Sequence, residues 1–88
     1  MRVTLTRRAK AERNHALAQR GDAAAAARLL EHFDAAERRL RRFPELGREG
    51  RAAGTRELII AATPYTLVYR IEQDRVTILE IRHNSRSR

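Results

Sequence analysis

The chain has no cysteine, a single lysine (Lys10) and no apolar run approaching the roughly 20 residues needed to span a bilayer. Without cysteine there is neither a disulfide framework nor a cysteine-rich zinc site, so the core must rest on packing, and nothing points to an oxidising compartment. The opening stretch Met1-Arg2-Val3-Thr4-Leu5 lacks the apolar block of a signal peptide, and the expected location is the cytoplasm, away from any membrane. Acids are scarce too, 11 against 19 basic residues, which leaves a formal charge of +8 and a pI near 11.5. A field of that sign favours nucleic acid, ribosome surfaces or an acidic protein. Arginine supplies nearly all of it, and its planar fork suits bidentate contacts to phosphate or carboxylate. A GC-rich genome also produces an arginine- and alanine-rich chain, so charge narrows the partner by sign alone. At 88 residues the chain has room for one domain, residues 1–88, with a modest core that a stabilising partner would help.

Val3 and Leu5 alternate with Arg2, Thr4 and Thr6, the pattern of a brief strand. Arg7 to Arg20 has no proline or glycine and predicts a helix, which Gly21-Asp22 stops before capping the next. Over Ala23 to Arg42 the larger apolar residues Leu29, Phe33, Ala36, Leu40 and Phe43 recur at gaps of four and three, one stripe of a second helix. Asp34 with Arg38 and Glu37 with Arg41 stand four apart in the order that favours ion pairing, and Pro44 ends the helix at Phe43. Gly47, Gly50 and Gly54, with Arg48 and Arg51, predict a mobile basic loop. Three β-rich segments follow, Arg56 to Ala61, Tyr65 to Ile71 and Arg75 to Arg82, separated by turns short enough for hairpins. In the middle one Tyr65, Leu67, Tyr69 and Ile71 share one face, with Thr66, Val68 and Arg70 on the other. The expected fold is α+β in two layers: a short strand, a helical hairpin and a three-stranded antiparallel meander whose apolar face lies under the helices and whose other face is open. Tyr65 and Tyr69 are expected to pack in the core with their hydroxyls at its rim.

The stretches Phe43-Pro44-Glu45-Leu46-Gly47-Arg48, Gly54-Thr55-Arg56-Glu57-Leu58 and Pro64-Tyr65-Thr66-Leu67-Val68-Tyr69-Arg70-Ile71 resemble RelE/ParE toxins. The likeness continues from Val76 through Ile81-Arg82-His83 to Asn84-Ser85-Arg86 and so covers nearly the whole chain. The resemblance implies the toxin of a bacterial type II toxin–antitoxin pair, held in a hetero-oligomer by an antitoxin whose extended segment wraps it. Contact with operator DNA would come only through that antitoxin. Two targets divide the family: RelE-like members cut mRNA on the ribosome, whereas ParE-like members act on DNA gyrase.

Cleaving RNA requires groups that take a proton from the 2′-hydroxyl, stabilise charge on the phosphate and protonate the leaving oxygen. Where RelE-like nucleases carry an arginine just before Leu-Val-Tyr of the middle strand, this chain has Thr66. Lysines of the preceding strand are replaced by Arg56-Glu57-Leu58-Ile59-Ile60, and the carboxyl-terminal tyrosine is missing. If the chain were a nuclease, Arg56, Arg70, His83 and Arg86 would have to form its site, with His83 shuttling protons. The resemblance to the ParE branch rests on Gly54-Thr55-Arg56-Glu57-Leu58, Thr63-Pro64-Tyr65 and His83-x-x-Arg86, although the proline that often follows is absent. It implies a gyrase inhibitor that works through a surface, for which Arg70, Arg82, His83 and Arg86 are the expected contacts. A third reading, an inactive relative that still binds antitoxin, stays open. His15 and His32 have no partner at zinc-motif spacing, and the glycine-bearing loop has no nucleotide-binding fingerprint, so neither metal nor cofactor is expected.

Overall fold

Two polar side chains start the two helices in the computed structural model, which describes residues 1–86, the side chain of Arg86 apart. Thr6 Oγ1 accepts the Ala9 N–H at 3.1 Å, and the Asp22 carboxylate accepts that of Ala25 at 2.7 Å. Each satisfies a donor that a helix start leaves without a partner. Helix α1 spans Arg7–Ala18 and α2 spans Ala23–Arg42. The first stops two residues short of the expected Arg20, where the Arg20 N–H turns to the Leu17 carbonyl at 3.2 Å in place of an i−4 partner.

Leu29, Phe33, Ala36 and Leu40 of α2 are buried, as their spacing predicts. Phe43 is not, and its side chain is 56% exposed. Pro44 forces residue 43 out of helical geometry, to φ −133° and ψ 76°, so the helical period ceases to apply one residue too early to bury the ring. The pairs Asp34–Arg38 and Glu37–Arg41 do not close into ion pairs among the described residues. Glu37 is instead half-buried, and burial, reinforced by Asp34, lifts its carboxyl above the usual range against the opposing pull of Arg13 and Arg41.

Five strands form one sheet in the order β1-β5-β4-β3-β2, with β1 Arg2–Leu5, β2 Arg48–Glu49, β3 Arg56–Ile59, β4 Tyr65–Glu72 and β5 Arg75–His83. The meander β3-β4-β5 is antiparallel as expected, and β1 lies parallel to β5 with Val3 opposite Val76 and Leu5 opposite Ile78. The short β2 is an addition, since its residues fall in the segment expected to be a mobile loop. That segment is tied down: the Gly50 N–H donates to Thr55 O at 2.8 Å, and the Gly47 N–H donates to the Tyr69 hydroxyl at 2.8 Å. Strand β3 ends two residues earlier than expected, where the chain turns through Ala62 at φ 66°, and β5 runs one residue further.

Leu67, Tyr69 and Ile71 face the helices together with Val76, Ile78 and Ile81, and these side chains meet Phe33 and Leu40 in one core. A bulge keeps the alternation in phase: Val68 stands opposite Glu80 and Tyr69 opposite Ile78, so Leu79 is the extra residue. Among the described residues no helix is long and apolar enough to cross a membrane.

Candidate functional site

The face of the sheet away from the helices is not open at its centre. Glu57, Thr66 and Val68 all belong to it, and all three are buried. Glu57 is the reason. The Arg82 guanidinium reaches its carboxylate at 3.2 and 3.5 Å, Arg48 approaches at 3.5 Å, and the Arg51 N–H donates to it at 3.2 Å. Arg82 also meets Glu80 at 3.6 Å, and Glu80 meets Arg8 at 3.4 Å. Arg8 holds Glu12, whose other oxygen accepts the Ile81 N–H at 2.8 Å. An alternating chain of charge thus runs from β2 across the sheet to α1. At its centre Glu57 and Arg82 have side chains only 2% and 15% exposed. Burial pushes the Glu57 carboxyl up, but the Arg51 N–H and the Arg82 guanidinium outweigh it and hold the group below the ordinary carboxylate range.

The carboxyl-terminal turn, Asn84–Arg86, is clipped to the β3–β4 hairpin. The Asn84 N–H donates to Pro64 O at 2.7 Å, and the Thr66 hydroxyl donates to Asn84 Oδ1 at 2.6 Å. The Thr66 side chain is therefore engaged in holding the turn 84–86. His83 packs edge-on against Tyr65, with ring centres 5.2 Å apart, and its Nδ1 accepts the Ser85 N–H at 3.2 Å. Along α1 runs a groove of about 470 Å³, lined among others by Glu12, Ala16, Arg20, Tyr65, Ile81 and His83.

The residues singled out from sequence scatter. Arg70 is exposed on the face away from the helices, opposite Thr77. Arg82 shares that face but is locked to Glu57 and Glu80. His83 lies on the other face, opposite Tyr65 at the far end of β4 from Arg70. Five strand residues separate those ends, roughly 17 Å at the usual rise. Arg56 is also on the helix side, where its guanidinium donates to Gly47 O at 2.8 Å and Glu45 O at 3.3 Å. Arg56, Arg70 and His83 do not meet, and the side chain of Arg86 lies outside the described residues.

Two organising residues escaped the sequence reading. Glu57 looked like one more strand residue, although an acid beside Leu58, Ile59 and Ile60 in an arginine-rich chain marked it for pairing. Tyr69 was expected to place its hydroxyl at the rim of the core. It is fully buried, and the hydroxyl donates to Pro44 O at 2.7 Å while accepting from Gly47 N. Burial raises the Tyr69 phenol above its usual range, so the group stays protonated and keeps its donor. Gly47 is fitted to this arrangement: a Cβ there would lie 2.7 Å from the Tyr69 hydroxyl and 2.9 Å from the Glu57 carbonyl. Backbone cannot yield to it, so Gly47→Ala is expected to cost about 1–3 kcal/mol, read as a lower urea midpoint with an unchanged slope.

A family profile described as the ParE toxin of the type II toxin–antitoxin system, parDE, matches residues 3–88. A candidate toxin of Sinorhizobium fredii, Y4kP, is 42% identical over 65 residues, covering 74% of this chain and 67% of that protein. Among solved structures, one of a chromosomal ParDE toxin–antitoxin system from P. aeruginosa superposes with a TM-score of 0.79 at 21% identity, over 94% of this chain and 95% of that one. A YoeB/ParE toxin from Agrobacterium tumefaciens gives 0.69 at 24% identity, over 94% and 98%. These two show a shared fold.

Proposed function

Because the chain belongs to the ParE toxin family of type II toxin–antitoxin systems, we propose that it is neutralised by a cognate antitoxin and inhibits DNA gyrase through a protein surface. The observation that carries the gyrase reading is the state of the polar groups on the sheet. The buried arginine is consumed by Glu57 and Glu80, Thr66 is bound to Asn84, and the expected proton shuttle His83 faces away from Arg70. Inhibition of a large enzyme asks only for a shaped surface, and the outer face of the sheet supplies apolar area at exposed Ile59, near the clipped turn 84–86, and charge at exposed Arg70, farther along β4. On this reading Arg70, Arg82, His83 and Arg86 serve the target, Arg70 by contact and Arg82 by bracing the sheet. The groove along α1 gives an antitoxin segment a partly apolar seat. Antitoxin and toxin then form a hetero-oligomer in the cytoplasm.

The test is supercoiling by gyrase, with topoisomerase IV alongside, in the presence of folded antitoxin-free chain. Inhibition that rises with concentration is expected, and Arg70→Glu is expected to raise the half-inhibiting concentration by roughly tenfold with the fold intact. Folded protein without effect on gyrase would sink the target assignment. Ribosome-dependent cleavage of mRNA by the same preparation would replace it.

A further inference from the structure

Among the described residues the largest cluster of cations without ion pairs lies off the sheet. Arg39, Arg41 and Arg42 crowd the last turn of α2 and Arg38 stands just before it, all exposed. Among the described residues none of them forms an ion pair. Arg38, Arg41 and Arg42 are three and four apart and therefore share one side of the helix. That side is opposite the stripe of Leu29, Phe33, Ala36 and Leu40, so the three guanidinia point away from the sheet. Glu31 and Asp34 lie further back along the helix without closing a pair with them. Exposed Arg7 and Lys10 begin α1 at the same end of the hairpin, where the Met1 ammonium donates to Arg41 O at 3.1 Å. By contrast four arginines of the sheet, Arg2, Arg48, Arg75 and Arg82, each have a carboxylate, Arg56 is bonded to backbone carbonyls, and Arg70 stands without an ion pair among the described residues, but singly.

The helix dipole accounts for basic residues near a carboxyl end, at about 0.3–1 kcal/mol each. It gives no reason for what stands beside them. Phe43 is 56% exposed with Arg42 over its ring at 5.6 Å, and Leu46 next to it is exposed as well.

We propose that the last turn of α2, with Phe43 and Leu46, is a docking surface for the backbone of duplex DNA. Three arginines set on one side of a rigid helix end can reach a row of phosphates whose spacing is regular, and duplex DNA presents phosphates more densely than a single strand. Exposed Phe43 and Leu46 suit the apolar face of a deoxyribose, whereas the 2′-hydroxyl of RNA would lose water against them without gaining a partner. No group at this surface is placed to read a base edge, so the contact is independent of sequence. This surface is separate from the sheet face assigned to gyrase and from the groove along α1, and neither of those readings needs it.

The test is fluorescence anisotropy of a labelled DNA duplex titrated with the full chain at several salt concentrations. The triple variant Arg38→Gln/Arg41→Gln/Arg42→Gln is compared with Arg2→Gln/Arg28→Gln/Arg75→Gln, which has the same net charge and lies elsewhere on exposed positions. The expected result is at least roughly tenfold weaker binding for the first variant, with a log–log salt slope shallower by about 2–3, and near-parental binding for the second. Circular dichroism confirms that both variants are folded, which substitutions at exposed helix and strand positions permit. Equal weakening by both would overturn the proposal in favour of a diffuse field. Tighter binding to duplex RNA or to a single strand would overturn the choice of DNA duplex. Competition by polyglutamate as effective as by the duplex at equal charge would assign the surface to an acidic protein.

Discussion

Glu57→Gln is expected to destabilise the chain by about 3 kcal/mol, since removing one member of a buried pair strands the other charge. The Arg82 guanidinium, 15% exposed, would face an uncharged amide and keep only Glu80. In a domain of this size each kcal/mol moves the thermal midpoint by about 4–8 °C, so the transition should fall by about 15 °C. Arg48→Gln, at the exposed end of the same charge chain, is expected to cost less than about 1 kcal/mol. The pH dependence separates the loss of a charge from the loss of shape. The folded carboxyl titrates below its unfolded value, which is about 4.3. Its contribution is therefore complete above the unfolded value and disappears as pH falls through the folded one. The difference in stability between parent and Glu57→Gln should be constant near neutrality and close progressively once the pH drops below about 4. A difference that persists unchanged in acid would show that packing, not charge, is what the substitution removes.

Tyr69→Phe is the second large effect. The phenol hydroxyl is the one group bridging Pro44 O and Gly47 N, at 2.7 and 2.8 Å, and the segment it holds carries the chain from α2 into β2. Phenylalanine fills the same space but leaves a donor and an acceptor without partners where water enters poorly. At about 1–3 kcal/mol for each of the two unsatisfied groups, a loss of about 2–6 kcal/mol is expected. Tyr65→Phe is the matched control, because among the described residues the Tyr65 hydroxyl makes no hydrogen bond while its ring packs on Phe33 and His83. Thermal melts should separate the two variants widely, and the Gly47 amide should exchange with solvent faster in the first alone. Equal melting of both would mean that the bridging hydroxyl contributes little and that the 44–47 segment is held by Arg56 instead.

Glu57 and Tyr69 also mark the limit of what periodicity reveals. The alternation in β4 and the four-and-three spacing in α2 report which way a side chain points, and the core residues Leu29, Phe33, Leu40, Leu67 and Ile78 follow from them. The rule fails at Phe43 for a local reason, the steric demand of Pro44. It fails at Glu57 and Thr66 for a non-local one, because a residue on the outer face can still be buried by the side chains of its neighbours. The loop around Gly47 and Gly50 reads as mobile because glycine and arginine permit motion, whereas the bonds that restrain it come from Tyr69, 22 positions away from Gly47, and from Glu57.

The sequence alone determined the order of the two helices and the four longer strands, the covered face of the meander, both boundaries of α2 and membership of the toxin family, because these depend on local chemistry and on a pattern spread over the whole chain. Tertiary structure decided the rest. It closed β2 onto β3, set His83 and Arg70 on opposite faces, tied Arg48 and Arg82 to Glu57 and left the arginines at the end of α2 without carboxylates among the described residues. The physical reason is common to all four. Whether a charge is spent on a neighbour or presented to a partner depends on which side chains lie within a few ångströms, and register and packing set those distances.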